Sequence, residues 1–142
     1  MRKNTFTLAL LAVFMLFLAT TGTAGSYNYI TADEFKARLE SSTPLIIVDI
    51  QVAEEYALHH FANSIATNAF PVETEEQRAM IDPAVAEYKK LGQNMVVVCP
   101  RGGGGAKRCY DYLKEQGVPE KQLSILTGGV AKWPYKEMLV AR

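Results

Sequence analysis

Apolar runs alternate with amphipathic stretches along most of the chain. Leu45–Val48 is continuously apolar and closes on Asp49, the pattern of a strand buried on both faces. Val96-Val97-Val98 runs into Cys99, and Leu123-Ser124-Ile125-Leu126 reads as a last strand. Between them apolar residues recur at helical spacing: Phe35 with Leu39; Val85, Tyr88 and Leu91; Cys109, Tyr112 and Leu113. Thr31-x-x-Glu34 is a capping box that predicts a helix start, Asp82 before Pro83 reads as an N-cap with proline at the first helical position, and Gly92 and Gly117 are stops. A short edge strand over Ser26–Ile30, helices at Ala53–Leu58, Glu73–Met80 and Ala106–Gln116, a strand near Ser64–Thr67 and a turn after Gly128-Gly129 complete the pattern. Strands and helices in strict alternation predict an α/β fold, a mainly parallel central sheet with helices on both faces.

One stretch departs from this rhythm. Met1–Ala24 opens with Arg2 and Lys3, continues almost wholly apolar from Leu8 to Ala19, and ends in small uncharged residues. Those are the parts of a secretory signal peptide, and the apolar run is shorter than the ~20 residues of a comfortable membrane span, which leaves an uncleaved anchor as the lesser alternative. The expected organisation is therefore a signal peptide over 1–24 and a single domain over 25–142, exported to the periplasm or secreted, with no stable membrane anchor once the leader is cleaved. Lys+Arg and Asp+Glu balance at 15 each, so nothing in the charge argues for a nucleic-acid partner.

The candidate chemistry sits at Cys99-Pro100-Arg101-Gly102-Gly103-Gly104-Gly105, between an apolar strand and a helix. Consecutive glycines let a loop curl with its N–H groups turned inward, and such a loop leading into a helix start attracts anions. A thiol held there is expected to ionise more easily. Other glycine-loop chemistries fail on the residues. A P-loop would end in Gly-Lys-Ser/Thr, but Gly105 is followed by Ala106 and Lys107. A dinucleotide loop would need another glycine at 107 or 108. A cysteine phosphatase would need an arginine at 105, which is glycine. Cys109, in the second turn of the following helix, is placed too far from Cys99 for a disulfide and reads as a small core residue. His60 reads as a packing or hydrogen-bonding residue, Asp49 as a structural acid bonding loop N–H groups, and Trp133 as core or pocket rim. Lys107 and Arg108 are expected on the exposed side of the helix start. No residue set calls for a metal or cofactor.

Three segments, in order, carry a resemblance: Asp49-Ile50-Gln51 with Glu54-Glu55-Tyr56 and His60–Ile65; the Val96–Cys99 strand with its glycine loop; and Leu126-Thr127-Gly128-Gly129-Val130-x-x-Trp133. Together they resemble the single-domain rhodanese (sulfurtransferase) family over about residues 28 to 136. The resemblance implies a sulfurtransferase in which Cys99 is the catalytic residue and Arg101, Gly102, Gly103, Gly104 and Gly105 bind substrate. Sulfane sulfur would pass through a persulfide, from thiosulfate or another sulfane donor to a thiol or cyanide. The implied partners are a small anionic sulfur donor or a protein persulfide donor, and the alternative is a carrier or binding module acting with a protein. The family commonly has arginine directly after the cysteine and again at position 104, whereas here Pro100 and Gly104 stand there. Gln51 replaces a usual arginine, and His59 a usual glycine.

Overall fold

The computed structural model describes residues 25–142, so the leader expected over 1–24 lies outside the described residues. A five-stranded parallel sheet has the order β1-β6-β5-β2-β4. Its strands are β1 (Tyr29–Ile30), β2 (Leu45–Asp49), β4 (Ile65–Ala66), β5 (Asn94–Val98) and β6 (Leu123–Leu126). Helices α1 (Ala32–Glu40), α2 (Ala53–Leu58), α3 (Glu75–Ala79), α4 (Asp82–Leu91) and α5 (Gly104–Glu115) connect them. A separate antiparallel ribbon pairs β3 (His60–Phe61) with β7 (Leu139–Val140).

The period-two alternation of the central strands divides the core. Ile46, Val48, Met95, Val97 and Cys99 face α4 and α5, where Val85, Cys109, Tyr110 and Leu113 are buried against them. Ile47, Val96 and Val98 face the other way, onto Phe35, Phe61 and Trp133. The three rings of that second core meet edge to face, with centroids 4.9–5.7 Å apart. Cys99 therefore continues the buried face of β5 into the loop.

Local signals act where they were expected. Thr31 and Glu34 form the capping box of α1. Gly92 ends α4 in the left-handed conformation at φ 63°. Two expectations are corrected. Asp82 is not the N-cap of α4: that position is Ile81, and the Asp82 carboxylate accepts from the Tyr112 hydroxyl at 2.5 Å instead. The following helix starts at Gly104 rather than Ala106, so Gly104 and Gly105 form its first turn.

Topology locates the crevice. From β2 the chain passes to β4 on one side, then returns to β5 on the other and continues outward to β6. The connections leaving β2 and β5 diverge, and the carboxyl ends of diverging parallel strands open a ligand crevice. Asp49 ends β2 there, and Cys99 follows β5.

Candidate functional site

The loop from Cys99 to Gly103 curls back over the sulfur. The Gly102 N–H donates to Cys99 Sγ at 2.7 Å, and the N–H groups of Arg101 and Gly103 also face it. Gly102 has φ 72°, and a Cβ there would fall 2.7 Å from the backbone nitrogen of Gly128. Only glycine satisfies both conditions.

The back of the loop is held by a second glycine pair. The Val130 N–H donates to the Cys99 carbonyl and the Ala131 N–H to the Pro100 carbonyl, each at 3.0 Å. Gly129, at φ 60°, packs so close that a Cβ would lie 2.2 Å from the Cys99 carbonyl oxygen. Gly128-Gly129 is thus part of the site's framework, legible in the sequence as a paired-glycine signal after a strand.

Cys99 lies at the floor of a cleft of about 270 Å³. Phe70 and Pro71 form an apolar wall, the glycine loop and Arg101 the opposite side, and Arg108 and Glu73 the rim. The Phe70 ring can approach because residue 105 is glycine: a Cβ there would meet the ring at 3.0 Å. The wall is anchored by the Phe70 N–H donating to the Ile50 carbonyl at 2.8 Å and by Arg108 Nε donating to the Pro71 carbonyl at 3.0 Å. Lys107 and the Arg108 side chain are both exposed, as expected, but Arg108 also borders the cleft. A helix side chain leans toward the N-terminus of its helix, and this lean brings Arg108 back over the loop. Phe70 and Pro71 carried no sequence signal of their own, because they come from a connection with no periodicity.

A second cleft of about 210 Å³ lies beyond the Pro100–Arg101 ridge, with Gln51, Glu55, His59 and Val130 among its walls. Arg101 is exposed and borders both clefts.

The electrostatics of the thiol reverse one expectation. Burial pushes Cys99 above the usual thiol range, and the N–H groups of Gly102, Arg101 and Gly103 pull it back only in part; the Asp49 charge raises it further. Three donors do not outweigh the loss of water around a residue that is 2% exposed. Asp49 is itself wholly buried, and burial raises its carboxyl to about 6. Its oxygens accept from the backbone N–H of Gln51 at 2.9 Å and from the Gln51 side-chain amide at 3.0 Å, and that amide also donates to the His59 carbonyl. Asp49 is thus the structural acid that the sequence suggested, held by a neutral partner.

His60 stacks on Tyr56 with ring centroids 4.0 Å apart and shares a 2.7 Å hydrogen bond between its Nδ1 and the Tyr56 carbonyl. Trp133 is core, 1% exposed. Cys109 is a free, fully buried thiol on the inner face of α5, and Cys99 is likewise unbridged. Among the described residues no group of histidine, cysteine, aspartate and glutamate is arranged to hold a metal ion, and no helix is long and apolar enough to cross a membrane.

A family signature described as Rhodanese-like domain matches residues 31–136. No curated protein matches the sequence. Among solved structures, a rhodanese-like domain protein from Staphylococcus aureus aligns at 26% identity with a TM-score of 0.60, covering 81% of this chain and 98% of that one. The As-Sb reductase of Leishmania major shares the fold at 20% identity and a TM-score of 0.59, over 82% of this chain and 87% of its own. A rhodanese-related protein from Thermoplasma volcanium shares it at 17% identity and a TM-score of 0.52, over 82% of this chain and 100% of its own.

Proposed function

Because the chain belongs to the rhodanese-like domain family, we propose that its cleft is a sulfurtransferase centre in which Cys99 carries sulfane sulfur as a persulfide. The observation that carries this reading is the ring of inward-facing N–H groups on Cys99 Sγ, led by Gly102 at 2.7 Å. Those donors match an anionic sulfur at Cys99.

The cycle has two displacements. The Cys99 thiolate attacks the outer sulfur of thiosulfate. A new S–S bond forms, the S–S bond of the donor breaks, and its electron pair leaves with sulfite. An acceptor thiolate or cyanide then attacks the outer sulfur of the Cys99 persulfide, and the Cys99 thiolate is the leaving group. No cofactor or metal takes part. A thiol raised by burial gives a small thiolate fraction at neutral pH, so loading speeds up as pH rises above neutrality.

A protein-borne persulfide is the other donor this mouth admits, because Arg101, Gly103 and Gly104 lie exposed around it. In that case the domain works as a carrier with little small-molecule turnover. The leader-like Met1–Ala24 supports a place in the periplasm or outside the cell.

Intact-mass spectrometry of the protein before and after thiosulfate tests the proposal, with Cys99→Ser and Cys109→Ser alongside. Gain of one sulfur in the native protein and in Cys109→Ser, but not in Cys99→Ser, is the expected result. No gain from thiosulfate with loading from a persulfidated protein selects the carrier. No gain from either donor refutes sulfur transfer.

A further inference from the structure

The residue that follows the loop by one helical turn occupies space that a side chain at 104 would otherwise fill. A Cβ on Gly104 would lie 3.0 Å from Nη1 of Arg108 and 3.5 Å from Nη2. Residues i and i+4 share a helix face, so a bare Gly104 gives the Arg108 guanidinium a seat above the start of α5. The seat is fixed from the far side. Nε donates to the Pro71 carbonyl at 3.0 Å, and Nη2 reaches a Glu73 carboxylate oxygen at 3.4 Å. Nη1 has no hydrogen-bond partner among the described residues. The guanidinium and Cys99 border the same cleft of about 270 Å³. Arg101 borders it too, but its side chain makes no hydrogen bond within the described chain, and it lies exposed between two clefts.

We infer that Arg108 is the residue that meets the charged oxygens of the donor when that donor is thiosulfate. The inference rests on the sulfur-transfer reading of Cys99. Arg108 supplies a pre-positioned guanidinium whose Nη1, joined by Nη2 when Glu73 releases it, can meet an anion's oxygens, which a flexible surface cation does less well. With the oxygens on Arg108 the outer sulfur turns toward Cys99. The displacement then runs as written above: the bond to Cys99 forms, the donor's S–S bond breaks, and sulfite departs from the guanidinium. Glu73 competes for the same group and yields it to the donor.

The test compares two donors, thiosulfate and an alkyl hydropersulfide with no other charge, by steady-state kinetics and intact mass. The variants are Arg108→Gln, Glu73→Gln, and the double variant Gly104→Arg with Arg108→Gln, each checked for an unchanged melting temperature. Arg108→Gln should raise KM for thiosulfate about ten- to a hundredfold, the range for losing a charge-assisted hydrogen bond. Loading from the hydropersulfide should stay within about twofold of the native rate, since that donor offers Arg108 no oxyanion. Glu73→Gln should lower KM for thiosulfate. The double variant, which returns an arginine to the same space from residue 104, should recover part of the loss. A purely structural role for Arg108 predicts instead equal losses with both donors and no recovery. Unchanged thiosulfate kinetics in Arg108→Gln overturns the inference while sulfur transfer by Cys99 stands. So does a native protein loaded by hydropersulfide but not by thiosulfate. A native protein loaded by neither overturns both.

Discussion

Replacing Asp49 by asparagine removes a carboxyl whose ionisation the fold resists. Asp49 has no exposure, and among the described residues its carboxylate is bonded only by the N–H and side-chain amide of Gln51, which are neutral. Burial lifts its pKa from 3.8 to about 6. At 1.36 kcal/mol for each tenfold change in proton affinity, ionising it in place costs the fold about 3 kcal/mol. The sign follows from proton counts. Between about pH 4 and about pH 6 the folded chain keeps a proton that the unfolded chain has released, so raising the pH through that window lowers stability, and the loss is complete above it. The measurement is urea unfolding of the native protein and Asp49→Asn at a series of pH values from about 3.5 to 7.5. All other titrations cancel in the difference. Asparagine still accepts from the Gln51 N–H, but its amide faces a Gln51 amide already committed to the His59 carbonyl, so the variant carries a constant cost at every pH. The native protein's advantage over Asp49→Asn should therefore shrink by about 3 kcal/mol as pH rises across the window. Gln51→Leu, which deletes one donor that lowers the folded pKa, should raise the upper edge of the window and leave its lower edge in place. A difference that stays flat within about 0.5 kcal/mol would refute the argument, because a carboxyl with an ordinary pKa has no such window.

The Asp49 charge also raises the Cys99 thiol, so Asp49→Asn should react faster than the native protein with iodoacetamide at pH 8. Gly129→Ala and Gly92→Ala share a left-handed φ, 60° and 63°, but only the first would drive a Cβ into Cys99 and Arg101 backbone atoms. Chemical denaturation should give about 1–2 kcal/mol for Gly92→Ala, the conformational cost alone, and clearly more for Gly129→Ala. Trp133→Ala, which empties the centre of the Phe35–Phe61 cluster, should cost about 3–5 kcal/mol. Thr31→Ala should cost about 1 kcal/mol through loss of the α1 cap, read from the same melts.

What the sequence declared and what it hid follow from the range of the forces involved. β2, β5 and β6 announce themselves because a strand covered on both faces must be apolar throughout. The capping box at Thr31 and the stop at Gly92 are local and were legible for that reason. Thr74 and Gln77 form an equally regular capping box on α3, which the expected helix bounds of Glu73–Met80 had passed over. The ribbon of β3 with β7 joins two-residue strands far apart in the chain, too short to show a period. Cys99 and its glycines stood out by composition. Arg108, Phe70 and Pro71 did not, because their place in the cleft depends on the lean of a helix side chain and the path of an irregular connection. The acidity of Cys99 was misjudged because donors can be read from a glycine run, whereas the loss of solvent around the sulfur depends on the packed fold.

The edge of the sheet has a consequence for how the chain assembles. Tyr29 and Ile30 pair with Ile125 and Leu126, so the first strand of the domain finds its neighbour near the end of the sequence. Every ladder of the main sheet is parallel and joins segments across a crossover. Closing such distant pairs costs chain entropy before any contact repays it, which slows folding and leaves the ladder incomplete until β6 has been made. A nascent chain of this topology has β2 and β5 available to condense first, and β1 docks last, on a strand made only after both of them.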